Sequence, residues 1–168
     1  QINKFKGLHI LLEAMNAIQK KDITLDVFGK MQNDNEYNQG ILNKIEELDN
    51  THFYGPYSQD QLPEILSNYD ILIVPSIWWE NSPLVIQEGF MAGLPIICSD
   101  IGGMAEKVTN NINGLHFKTG NTQDLVNKIL QIHKSPALLK KLTKGIPKVK
   151  SIEENRKELE EIYSKLND

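Results

Sequence analysis

Two short segments, Ile71-Leu-Ile-Val74 and Pro95-Ile-Ile-Cys98, are apolar at successive positions. A strand with one wet face alternates apolar and polar residues, whereas a strand covered on both faces has no reason to alternate. Such runs therefore point to a parallel sheet with helices above and below it. The intervening segments supply those helices. Between residues 7 and 20, Leu8, Leu11, Leu12, Met15 and Ile18 recur at helical spacing and form one apolar face. Residues 36–48 repeat the pattern through Ile41, Leu42, Ile45 and Leu48. Leu62, Ile65, Leu66 and Tyr69 mark a third helix, with Ser58 as its expected cap.

Further strands are expected at 23–28, 52–54 and 115–117, and further helices at 83–92, just after Gly102-Gly103, and at 121–134. Ser135-Pro136 should start another helix that stops near Gly145. Ser151 and Glu154 have the spacing of a capping box for a last helix, with an apolar stripe of Ile152, Leu159, Ile162 and Leu166. Gln1-Ile2 reads as the end of an earlier strand. The expected fold is a Rossmann-like three-layer α/β/α domain over residues 1–168, with a mostly parallel sheet of about six strands and extra C-terminal helices.

A chain of 168 residues fits one domain of this kind. The net charge of −4 gives nucleic acid no electrostatic footprint. No apolar run reaches membrane-spanning length. The single Cys98 lies in a buried-type run and reads as a structural thiol. His9, His52, His116 and His133 fall on separate elements without ligand spacing, so no metal is expected. There is no Walker phosphate loop and no GxGxxG turn, and Gly114 and Gly120 have the wrong spacing to replace one.

Chemistry concentrates after the Ile71–Val74 run. In an open parallel sheet, ligands bind beyond the C-terminal strand ends. There, Glu80 and Glu88 flank Asn81-Ser-Pro-Leu-Val-Ile-Gln87. Ser82 is expected to cap the following helix and Pro83 to be its first residue. Free N–H groups at such a helix start favour anions. Two acids beside an anion site suit a ligand that carries hydroxyls as well as phosphate, as a nucleotide sugar does. Lys6-Gly7 opens the first helix, where a cation opposes the helix dipole unless a phosphate lies between them. Trp78-Trp79 could stack on a sugar or base, although the balance favours a packing role for at least one of them. Gly102-Gly103 reads as a packing and turn device.

These residues, in this order, closely resemble the C-terminal half of family 4 retaining glycosyltransferases, which have the GT-B fold. The resemblance is carried by Lys6-Gly7 with Leu11-Leu12-x-Ala14, Phe53-Tyr-Gly55-x-Tyr57 and Asp70-Ile-Leu-Ile-Val-Pro75-Ser76. It continues through Glu80-x7-Glu88-Gly-x-Met-Ala92-Gly93-x-Pro95, Ser99-Asp100-x-Gly-Gly103-x-x-Glu106 and Asn113-Gly114-Leu115. It implies that Lys6 and Gly7 serve the donor diphosphate, Glu80 the donor sugar hydroxyls and Glu88 the ribose. Asn81, Ser82, Leu84 and Val85 belong to the loop and helix start whose backbone holds the donor, and Tyr57 borders the base. Glu80 is the expected catalytic residue. No metal or other cofactor is implied.

Two positions depart from the family pattern: Gln1 stands where an Arg is usual, and Pro83, without an N–H, stands where Gly is common. The resemblance also implies an N-terminal domain, absent from this chain, that holds an acceptor glycan, lipid-linked glycan or small molecule. A cytoplasmic protein is expected, with peripheral placement at the inner membrane face through that domain. Residues 151–168 would pack partly against it. A non-catalytic nucleotide-binding or partner-docking module and a nucleotide-sugar epimerase of the same architecture are the alternatives.

Overall fold

In the computed structural model, which describes residues 1–31 and 36–149 together with Arg156, Glu160 and Tyr163, the apolar runs become parallel strands. The expected terminal helix, with its Ser151 and Glu154 box, lies outside the described residues. The elements are α1 (Leu8–Ile18), β1 (Leu25–Phe28), α2 (Glu36–Glu46), β2 (Thr51–Gly55), α3 (Leu62–Leu66), β3 (Leu72–Val74), α4 (Leu84–Met91), β4 (Ile96–Ser99), α5 (Gly102–Lys107), β5 (Gly114–Phe117), α6 (Thr122–His133) and α7 (Pro136–Lys144).

Strand β1 pairs with β2, and β4 pairs with β3 on one side and β5 on the other, all in parallel. The sequence pattern led to about six strands; five form among the described residues, in two separate ladders. The expected strand at Gln1-Ile2 is reduced to one parallel bridge between Ile2 and Met31.

Strand β4 shows why the apolar runs do not alternate. All four of its residues are buried. Ile97 faces a core built from α1, α6 and the apolar residues of β5, while Ile96 and Cys98 face a second core with Ile86, Phe90 and Met104 of α4 and α5. The period of two thus serves two apolar faces. Cys98 is a buried thiol whose Sγ lies 3.7 Å from the Met104 carbonyl, consistent with a structural role.

The helical periodicity also survives folding. Leu8, Leu11, Leu12, Met15 and Ile18 are all buried on α1, which packs on α6 through Leu125, Val126 and Ile129. Asn121 accepts from the Asp124 N–H to start α6, and Ser135 accepts from the Leu138 N–H to start α7. Ser58 precedes a 3-10 turn, Gln59–Gln61, that leads into α3. No helix among the described residues is long and apolar enough to cross a membrane.

Candidate active site

The site forms where the turn before α1 meets the loops that follow β2 and β3. Its first wall is the 3-10 turn Lys4–Lys6, started by Asn3, whose Oδ1 accepts from the Lys6 N–H at 3.2 Å. Gly7 ends that turn with a φ of +71° and starts α1. A Cβ at Gly7 would overlap the Pro75 carbonyl, so the turn sits directly on the loop that follows β3. The Phe5 carbonyl accepts from the Ile77 N–H at 2.9 Å and ties the same two segments together.

This contact brings Lys6 to Glu80. The Lys6 ammonium donates to both carboxylate oxygens, at 2.8 Å and 2.9 Å. Ser76, buried at the end of β3, donates its hydroxyl to Glu80 Oε1 at 2.5 Å. Burial opposes the charge on Glu80, but Lys6 and Ser76 outweigh it and hold the carboxyl below its ordinary range. The sequence suggested that Lys6 needs an anion at the α1 terminus; the anion beside it in this structure is the Glu80 carboxylate.

The backbone of the Glu80 loop rests on α5. The Gly103 N–H donates to the Glu80 carbonyl at 2.6 Å, and a Cβ on Gly103 would overlap the Glu80 and Asn81 carbonyls. Gly102-Gly103 is therefore a packing device, and its load is the candidate site itself. Trp79 lies against Gly102, and Trp78 packs on Phe5 with ring centroids 5.3 Å apart. Both indoles make these packing contacts while remaining exposed, at 60% and 70%.

Helix α4 begins one residue later than expected. Pro83 is its N-cap, in extended conformation with ψ 108°, and neither Ser82 nor any other side chain caps it. A proline N-cap has no side-chain acceptor, so Ser82 stays outside the helix, exposed beside Asn81. The N–H groups of Leu84 and Val85 belong to the first turn and have no hydrogen-bond partner among the described residues.

Glu88 stands one turn further along α4. Gln59 Nε2 lies 3.5 Å from its Oε1, and burial followed by the Glu88 charge pushes the Tyr57 phenol up. Tyr57 meets Phe28 edge to face at 6.3 Å, and Tyr54 stacks on the same ring at 4.9 Å. The structure thus gathers Lys6 with Glu80, and Tyr57 with Glu88, at the two ends of the α4 entry. Lys6, Tyr57 and Val85 line one cavity. Sequence reasoning gave no site role to Ser76, Gln59 or Phe28. A small polar residue at a strand end and an aromatic before Gly29 were the available signals, and neither has a distinctive spacing. Among the described residues, no cluster of three or more His, Cys, Asp or Glu could hold a metal.

Residues 1–149 match the family described as Glycosyl transferases group 1. The chain belongs to this family. One group 1 relative is an uncharacterised glycosyltransferase of Methanocaldococcus jannaschii, 30% identical over 82% of this chain and 37% of its own length. Another is the N,N'-diacetylbacillosaminyl-diphospho-undecaprenol alpha-1,3-N-acetylgalactosaminyltransferase of Campylobacter jejuni, 30% identical over 74% of this chain and 31% of its own. The fold matches that of Anabaena HepE, solved with UDP and glucose, at a TM-score of 0.79 and 22% identity over 87% of this chain and 40% of the other. The chain spans about a third of the length of the curated relatives it matches.

Proposed function

We propose that this chain is the donor-binding domain of a retaining glycosyltransferase of family 4 that takes a nucleotide-diphosphate sugar. The observation that carries the proposal is the Lys6–Glu80 pair, held in two hydrogen bonds beside the unpartnered N–H groups of Leu84 and Val85. A diphosphate has what each donor lacks. Its oxygens can take the Lys6 ammonium and the helix N–H groups together, with charge-assisted bonds favoured over neutral ones. Glu80 then exchanges its cation partner for sugar hydroxyls while keeping the Ser76 hydroxyl. Glu88 accepts from the ribose hydroxyls, and the base lies against Tyr57 and the aromatic group around Phe28.

In the reaction, the bond from the anomeric carbon to the diphosphate oxygen breaks, and a bond to the acceptor oxygen forms on the same face. The acceptor proton passes to the departing diphosphate. Lys6 and the N–H groups of Leu84 and Val85 are fixed donors aimed at the negative charge that develops there, so no metal is needed. Glu80 orients the sugar and stabilises positive charge on its ring. The acceptor, of the lipid-linked or other glycan class, binds a domain outside this chain. On this reading the full protein acts in the cytoplasm, in glycoconjugate or polysaccharide synthesis.

A thermal-shift panel of UDP-, GDP- and ADP-sugars tests the proposal. One nucleotide class should raise the melting temperature of the chain, and Glu88→Ala should abolish the rise. No rise with any nucleotide sugar, or a rise unchanged in Glu88→Ala, would refute the assignment.

A further inference from the structure

The two members of the Lys6–Glu80 pair are not equally free to move. The Lys6 side chain is 45% exposed and that of Glu80 18%. Lys6 ends a turn and carries its charge on a flexible four-carbon stem, so the ammonium can swing toward an incoming oxygen. Glu80 cannot follow it. Its Oε1 accepts from the hydroxyl of Ser76, which is itself buried, and its backbone carbonyl accepts from the Gly103 N–H at 2.6 Å. The backbone on both sides is equally constrained, since a Cβ on Gly7 would overlap the Pro75 carbonyl and one on Gly103 the Asn81 carbonyl. Burial opposes the Glu80 charge, and Lys6 comes first among the groups that offset it.

An arriving diphosphate disturbs this balance. It takes the Lys6 ammonium and brings negative charge toward the Glu80 carboxylate. Ser76 remains on Oε1, but the donor that Oε2 has in this structure is Lys6. A half-buried carboxylate left short of donors beside an anion is unfavourable on both counts. The hydroxyls of a sugar attached to the diphosphate supply the missing donors. A nucleoside diphosphate from which the sugar has gone supplies none.

We propose that Glu80 is a specificity-determining residue that competes with phosphate for Lys6, so that the site holds a sugar-bearing donor and rejects the nucleoside diphosphate left after transfer. The inference rests on the donor reading of the site and adds an order of events to it. In the empty site the two side chains hold each other. In the donor complex Lys6 turns to phosphate and Glu80 to sugar. When the sugar leaves, Glu80 takes Lys6 back and the nucleotide is released.

Titration calorimetry of the 168-residue chain and of Glu80→Gln with UDP, GDP and ADP, and with the glucose ester of each, tests this. For the nucleotide class that binds, the parent chain should favour the glucose ester over the bare diphosphate. Glu80→Gln should bind the bare diphosphate about threefold or more tightly than the parent and should lose most of the preference for the ester. In a Lys6→Met background Glu80→Gln should bring no such gain, because no cation is released. Glu80→Ala removes the same charge and serves where Glu80→Gln fails to fold. Equal or weaker binding of the bare diphosphate by both Glu80 variants would overturn the competition and leave the donor reading standing. So would an equal gain in the Lys6→Met background, or a parent chain with no preference for the ester. Absence of binding by every chain to every probe would instead overturn the donor reading, and the competition with it.

Discussion

At the scale of single residues, the Lys6–Glu80 pair sets both a ligand response and a pH response. Lys6→Ala removes the only donor assigned to the diphosphate that carries a full charge. It should weaken nucleotide-diphosphate binding by about ten- to hundredfold, measured by titration calorimetry. Its effect on stability should stay within about 1 kcal/mol, because the Lys6 side chain is 45% exposed and its pairing is screened by solvent. For Glu80, the folded carboxyl titrates below its unfolded value. Its contribution is therefore complete above the unfolded pKa and is lost as the pH falls through the folded one. Melting temperatures of Glu80→Gln and the parent chain should converge as the pH falls through and below the ordinary glutamate range. Parallel curves over that range would show that Glu80 is not held charged by Lys6 and Ser76. The sequence made Lys6, Glu80 and Glu88 conspicuous through spacing and strand-end position. It did not reveal that Lys6 and Glu80 contact each other, since 74 positions separate them and only the Gly7–Pro75 packing closes the distance. Ser76 was given no role because a serine after a strand is ordinary until a carboxylate is placed over it.

At the scale of elements, the glycine-led α5 supports the Glu80 loop from behind. Gly103→Ala drives a methyl into the Glu80 and Asn81 carbonyls, so the loop must move. Nucleotide binding should fall with little change in helix content, read by calorimetry and circular dichroism on the same sample. Helix α1 has the opposite role, as ballast for the sheet. Leu12→Ala, at a site 1% exposed, should cost about 2–5 kcal/mol in urea unfolding. The helices were legible because a buried face leaves a 3.6-residue period, which α1 follows closely, while α7 was marked by its Ser135-Pro136 start. Strand limits were less legible. Ile23 and Thr24 continue the β-type composition of β1 but lie before its ladder, while Gly55 joins β2 by pairing with Phe28 across an irregular register. The start of α4 was misplaced because Ser-Pro usually signals a cap and first residue, whereas here Pro83 itself takes the extended N-cap conformation.

At the scale of the whole molecule, the two ladders and the helices around them form one α/β unit, to which the proposed function gives the donor alone. The isolated chain should bind nucleotide sugar without sustained transfer to added glycans; multiple turnovers by the 168-residue chain would refute the division of labour. The fold class was legible from nonalternating strands and intervening helices. The split sheet was not, because it depends on which strand edges meet in space. The central claim is that Lys6, Tyr57, Glu80, Leu84, Val85 and Glu88 hold one nucleotide-diphosphate ligand. Amide chemical-shift mapping during titration with UDP, GDP and ADP tests it most directly. The account predicts that one of them shifts Lys6, Tyr57, Leu84, Val85 and Glu88 together and saturably. Shifts confined to other surfaces, or none with any of the three, would contradict it.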